Sequence, residues 1–360
     1  MGRRERGRAL SATVTVARSP GRASAVAGVG LTALAALVLV VSVGVALTLG
    51  PADVSLVNVR DVLLNHLGLA DIPVRVAKDA IVWQERLPRA LVAACAGAGL
   101  ALCGVVMQSL LRNPLAEPFL LGVSSGASTG AVVIGVMGIG GGAVGLSGGA
   151  LIGALVAFAV VLLLSRLTSG GTSGVILAGV AGTQFFSALT SLVVFAFADS
   201  DETRGVMFWL LGSLEGVRWD DAALAAAVVV GGGIVCLLAA RTLDAFAFGD
   251  DVASSLGIPV ARTRLALLVV TAVMTAVLVS VVGAVGFVGL VVPHAVRLLV
   301  GQRHVRVLPL AAVVGAVFMV WVDAVTRTVF APTPLPVGVG TALVGVPVFV
   351  ALLLRRRGRA

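Results

Sequence analysis

Long apolar runs follow one another along the 360-residue chain, separated by short polar punctuation, and within each run the apolar residues are continuous, not alternating. About 20 such residues carry a helix across the roughly 30 Å hydrocarbon layer of a bilayer. Ten segments suit that role, at about 26–49, 87–108, 119–138, 147–165, 174–197, 222–240, 263–283, 286–301, 307–326 and 337–354, the eighth being short. In lipid only helices and closed barrels satisfy their own backbone, and barrel strands would alternate apolar with polar positions. The pattern predicts an all-α polytopic membrane protein with ten transmembrane helices, flanked by a basic tail at 1–25 and a short tail at 357–360, with the membrane domain at 26–356.

Composition agrees: 59% of residues are apolar and 12% charged, with a mean hydropathy of +1.10, against about 25% charged in an ordinary soluble domain. Charge placement then orients the chain, because arginine and lysine in short loops stay on the cytoplasmic side. With both termini inside, 18 of the 26 cations fall inside and 12 of the 17 acids outside. This predicts that both termini are cytoplasmic. It also accounts for the basic balance of +9 without nucleic acid as a partner, the arginine-rich ends meeting anionic membrane lipid instead.

Chemistry-bearing patterns are sparse. Cys95, Cys103 and Cys236 all fall within apolar runs and form no C-x-x-C pair, so they read as small buried groups with no metal site or disulfide framework. Asp220-Asp221 and Asp250-Asp251 do not extend to the D-D-x-x-D that would hold magnesium on a diphosphate, and H-E-x-x-H is absent. There is no G-x-x-x-x-G-K-[ST], and Lys78 is the only lysine, so ATP is for a partner to bind. A proton- or sodium-coupled carrier needs ionisable relays in its spans. His294 and Asp323 are the candidates, and the latter is four residues from Arg327, a spacing suited to local pairing.

Small residues recur where helices in lipid approach closely. Gly97, Ala101 and Val105 form one stripe, and Gly122, Gly126 and Gly130 form an unbroken G-x-x-x-G-x-x-x-G. Either plain helix packing or slender helices lining a pathway would use them.

Several ordered motifs carry a resemblance: Arg86-Leu87-Pro88-Arg89; Met107-Gln108 with Arg112-Asn113-Pro114-Leu115-Ala116-Glu117-Pro118; Gly249-Asp250-Asp251-Val252-Ala253 through Leu256-Gly257; Gly286-Phe287-Val288-Gly289 to Pro293-His294; and Asp323 to Arg327. Over about residues 30–356 the chain resembles the FecCD or BtuC-like permeases of ABC importers for iron siderophores, haem and cobalamin. The resemblance implies two permease subunits, as a homodimer or a paralogous heterodimer, around a central path. It also implies two cytoplasmic ATPase subunits that use ATP and Mg, and an extracytoplasmic substrate-binding protein. No cofactor belongs to this chain, which as a permease is not an enzyme.

Residue by residue, the resemblance implies that Arg86, Arg89 and Arg327 face outward to dock the binding protein. Gly249, Asp250, Asp251, Ala253, Leu256 and Gly257 belong to a loop at about 241–262 that couples to the ATPase. Asn113, Leu115, Thr172 and Ser173 match the cytoplasmic gate segments. Ferric siderophore is the expected cargo, ahead of haem and cobalamin; an ion-coupled secondary transporter and an intramembrane enzyme are the alternatives.

Overall fold

The computed structural model describes residues 22–138, 145–168, 172–329 and 335–357. The tail expected at 1–25 lies outside these up to residue 21, as do residues 358–360. Helix α1 spans Arg22–Ala46, and two short helices follow, α2 (Leu56–His66) and α3 (Val76–Asp79). A π-helical turn, Ala80–Arg86, joins α3 to α4 (Leu87–Leu110). Next come α5 (Val123–Met137), α6 (Leu146–Leu167), α7 (Thr172–Phe197), α8 (Ser200–Leu210) and α9 (Trp219–Leu238). The short α10 (Ala240–Ala247) and α11 (Asp250–Ser255) lead into α12 (Val260–Val282), α13 (Val288–Val300), α14 (His304–Thr328) and α15 (Val337–Arg357).

Among the described residues, seven of the expected segments become helices long and apolar enough to cross a membrane, in α1, α3–α4, α6, α7, α9, α12 and α14. The other three, α5, α13 and the described part of α15, are shorter apolar helices. The segment expected at 119–138 is not one unbroken helix. Pro118 opens a 3-10 turn through Leu121, Gly122 turns left-handed at φ 71°, and only then does α5 begin. A left-handed residue ends a helix, and glycine adopts it without steric cost.

α4 is the axis of the bundle, buried along most of its length, with Val92, Ala96, Leu100, Cys103 and Met107 in the core. It packs against α9, α12, α13 and α14. The approach to α14 is set by Gly97, where an added Cβ would overlap the Gly315 carbonyl, and the approach to α13 by Gly104, whose Cβ would overlap the Gly289 backbone. The Gly126 and Gly130 stripe likewise seats on Gly149 and Gly153 of α6, backbone against backbone.

The bundle has two ends. One gathers the C-termini of α1 and α14 and the N-terminus of α4, joined by Arg327 bonding to the Ala46 carbonyl that ends α1 and Arg86 to the Leu47 carbonyl just past it. The opposite, basic end gathers the start of α14, the end of α4, and α10–α11. α15 starts at the first end, where Val337 N–H donates to the Gly212 carbonyl at 2.9 Å, and runs toward the basic one.

Polar helices that hydropathy does not reveal cover the first end. Ser55 caps α2 in a reciprocal capping box with Asn58, satisfying backbone donors the helix start leaves open. His66 of α2 stacks on Trp83 with centroids 4.0 Å apart, Trp83 meets Trp219 at 4.8 Å, and Trp219 Nε1 donates to the Trp83 carbonyl. That aromatic column ties α2 to the start of α9.

Candidate functional site

Arg86, Arg89 and Arg327 converge at the first end, as the motifs led one to expect, but not as exposed groups. They are 4%, 8% and 8% exposed. Asp323 holds two of them: Arg89 Nε lies 2.9 Å from Oδ1 and Arg327 Nε 3.0 Å from Oδ2. Arg86 donates to the carbonyls of Leu47 and Ala52, and Arg327 to those of Leu49 and Ala46. The carbonyls at the end of α1 lack intrahelical donors, so guanidinium groups cap it. The motifs led one to expect arginines placed to dock a partner here; the structure adds that all three are buried and tie α1, α4 and α14 together. What reaches the surface is an open cavity of about 310 Å³ whose lining includes these arginines, Glu85 and Glu215.

At the basic end, α10 and α11 form a helical corner. Gly249, at φ 114°, makes the turn between them, and Gly257, at φ 79°, ends α11 with Ile258 N–H returning to the Ala253 carbonyl. Asp250 does not cap α11; it stands in the first turn and its Oδ1 accepts from Arg264 Nη2 of α12 at 2.6 Å. The hydrogen bond from that guanidinium holds the Asp250 carboxyl below its ordinary value, against a smaller opposing effect of burial. Ala253 is fully buried, whereas Phe248, Val252 and Leu256 are exposed, at 78%, 41% and 67%. Asp251 is exposed beside them. Three apolar side chains displayed on one short corner form a surface suited to a protein partner.

Behind this corner lies a chain of polar side chains that the sequence did not reveal. Asp244 of α10 accepts from both the backbone N–H and ring Nδ1 of His304, at 3.0 and 2.6 Å, and His304 Nε2 meets Ser109 Oγ of α4 at 2.5 Å. His304 is 2% exposed and Ser109 6%. With Nδ1–H given to Asp244, a neutral ring accepts the Ser109 hydroxyl proton at Nε2. An imidazolium instead donates to Ser109 and leaves that hydroxyl for the Val105 carbonyl, 3.0 Å away. Asp244, Ser109 and His304 are 60 and more positions apart in sequence, so no local motif announces them; a histidine opening a helix beside a basic loop was the only signal.

The preceding residue of α4 continues the network. Gln108 donates to the Gly289 carbonyl, and Arg297 Nη1 donates to Gln108 Oε1. A cavity of about 610 Å³, lined by Gln108, Arg112, Phe248, Arg297 and His304 among others, opens beside them. Asn113 caps its own turn by accepting from Leu115 N–H at 2.9 Å, and Leu115 is 50% exposed. Thr172 and Ser173 begin α7. Among the described residues no hydrogen bond joins these two segments. Nor do they contain a group of three His, Cys, Asp or Glu side chains placed to hold a metal ion.

The sequence profile of the FecCD transport family matches residues 36–355. The chain belongs to that family. It is 43% identical over 285 residues to the cobalamin import system permease BtuC of Halobacterium salinarum, covering 78% of this chain and 75% of the relative. It is 41% identical to the vitamin B12 import system permease BtuC of Klebsiella pneumoniae, with 77% and 83% covered. A solved metal-chelate type ABC transporter in an inward-facing conformation superposes with a TM-score of 0.80 at 29% identity, over 91% of this chain and 99% of that one. As a FecCD permease the chain is a multi-pass membrane subunit of an ABC importer, not an enzyme, and ATP hydrolysis falls to separate ATPase subunits. That removes the intramembrane enzyme and the ion-coupled carrier.

Proposed function

We propose that this permease imports cobalamin, and that its α10–α11 corner receives the ATPase. The likeness to two cobalamin permeases supports the cargo. This departs from the ferric siderophore that family frequency favoured, which becomes the second reading, kept by the metal-chelate type of the superposed transporter. The observation that carries the coupling role is the joining of an exposed apolar corner, Phe248, Val252 and Leu256, to the central helix α4 through Asp244, His304 and Ser109.

On this reading the basic end faces the cytoplasm, with both termini there and the Arg86, Arg89 and Arg327 cluster outside. Gly249, Asp250, Asp251, Ala253, Leu256 and Gly257 form the seat for the ATPase, which alone handles ATP and Mg. A second permease subunit completes the path, and the segments of Asn113, Leu115, Thr172 and Ser173 close it inward. ATP-driven closure of the ATPases moves the two corners, and the bundles rock between outward and inward access. An acidic side chain of the binding protein enters the cavity beside Arg86 and Arg89 and meets guanidinium edges already aimed, Arg89 by Asp323 and Arg86 by the Leu47 and Ala52 carbonyls, so little side-chain entropy is lost on docking.

Reconstitution of the permease with its ATPase and binding protein in liposomes tests this. Radiolabelled cyanocobalamin should accumulate only with ATP, and accumulation should survive a proton ionophore. Uptake of ferric siderophore in place of cobalamin would overturn the cargo, and uptake without ATP would overturn the coupling.

A further inference from the structure

Between α6, α7 and α12, at the basic end, lies a cavity of about 330 Å³. Its floor is apolar, with Leu162, Val175 and Leu268, and its rim carries Arg166, Arg262 and Arg264. Among the described residues no carboxylate lines it. Arg166 and Arg262 are exposed. Arg264 is buried, held at one side by Asp250 through Nη2 and stacked over the Phe246 ring at 5.6 Å, while its Nε is buried with no hydrogen-bond partner. Asp250 offsets one of the three charges, so the rim keeps a positive excess beside an unsatisfied donor.

A buried unsatisfied guanidinium donor is costly, and arginine matches phosphate oxygens in geometry and charge. A soluble anion would satisfy the rim and leave the apolar floor unused. The floor belongs to three helices that are each apolar and long enough to cross a membrane, and basic pockets between such helices receive lipid head groups. The geometry points to a binding site for one anionic phospholipid, its phosphodiester at Arg166, Arg262 and Arg264 and the start of an acyl chain along Leu162, Val175 and Leu268. The lipid phosphate then bears on the arginine that holds Asp250, so membrane composition reaches the α11 corner directly.

Native mass spectrometry of the delipidated full chain tests the site, with phosphatidylglycerol, phosphatidylcholine and inorganic phosphate as probes. The wild type should retain phosphatidylglycerol in preference to phosphatidylcholine. R166Q/R262Q should lose affinity for it by about five-fold per arginine, about 25-fold for the pair, and R166K/R262K should recover most of that loss. R241Q/R303Q, at exposed arginines outside this cavity, should leave retention unchanged. Equal retention of the two lipids by the wild type, unchanged phosphatidylglycerol affinity in R166Q/R262Q, or the same loss in R241Q/R303Q would each overturn the proposal. So would displacement of phosphatidylglycerol by millimolar inorganic phosphate, which would assign the rim to a free anion.

Discussion

Arg89 and Asp323 stand 234 positions apart in the chain and meet at 2.9 Å, the carboxylate 1% exposed. Because Asp323 also binds Arg327, its removal leaves two buried cations without their shared anion. Breaking a buried ion pair from one side costs about 3–5 kcal/mol. Asp323→Asn should therefore lower the thermal unfolding midpoint in detergent sharply. Asp323→Asn combined with Arg89→Gln should recover part of the loss; a double variant no better than the single would mean that Arg89 is satisfied elsewhere.

The Asp244–His304–Ser109 chain hydrogen-bonds α10 to α4 through one ring, so His304→Ala should leave the corner tied to the central helix by apolar packing alone. In the assembled transporter, ATP hydrolysis should persist while substrate moved per ATP falls. Asp244→Asn keeps an acceptor oxygen for His304 Nδ1–H and should restore more coupling than Asp244→Ala. Equal losses of hydrolysis and transport in all three would indicate a merely structural role.

Asp250 and Arg264 give a pH dependence of known sign. The folded-state carboxyl titrates below its unfolded value, which is about 3.9. The pair's contribution is thus fully present above that value and is lost as pH falls through the lower folded one. Hydrogen exchange of the α11 amides should accelerate over that acid range in the wild type and show no such step in Asp250→Asn. A step of the same size in Asp250→Asn would assign the titration to another group.

The α5–α6 seam should tolerate no added side chain. A Cβ on Gly130 would overlap the Gly149 carbonyl, and one on Gly126 would overlap the Ala157 side chain. Overpacking costs typically about 1–3 kcal/mol, so Gly130→Val should reduce yield and thermal stability, whereas Gly145→Val, with open space around it, should not. Similar stability of the two variants would show that α5 and α6 separate at little cost.

The membrane-crossing elements were legible because a single physical requirement, enough apolar length, writes them. Glycine spacing foretold the seam now seen at Gly126 and Gly130, and the Asp323–Arg327 spacing foretold its pair. What hydropathy could not supply were elements stabilised by specific contacts: α2, held by its Ser55–Asn58 cap and the His66–Trp83 stack, and the interrupted third segment, where Pro118 and Gly122 outweigh an apolar composition. The burial of Arg86, Arg89 and Arg327 was not legible, because charge counting sees a cation and not the backbone carbonyls and buried carboxylate that engage it. Ser109 gave no signal in the sequence for the same reason: its partner arrives from another helix.

The bare glycine seams have a mechanical consequence. Where α4 lies on α14 at Gly97 and Gly315, and α5 on α6 at Gly130 and Gly149, no cushion of side chains remains to shear, and close-packed interfaces have few intermediate arrangements. Each couple is a girder: it can tilt or swing, but its members cannot slide past one another. Motion through the molecule must then be taken up at the corners between girders, and a ligand crossing it would feel walls that shift as slabs.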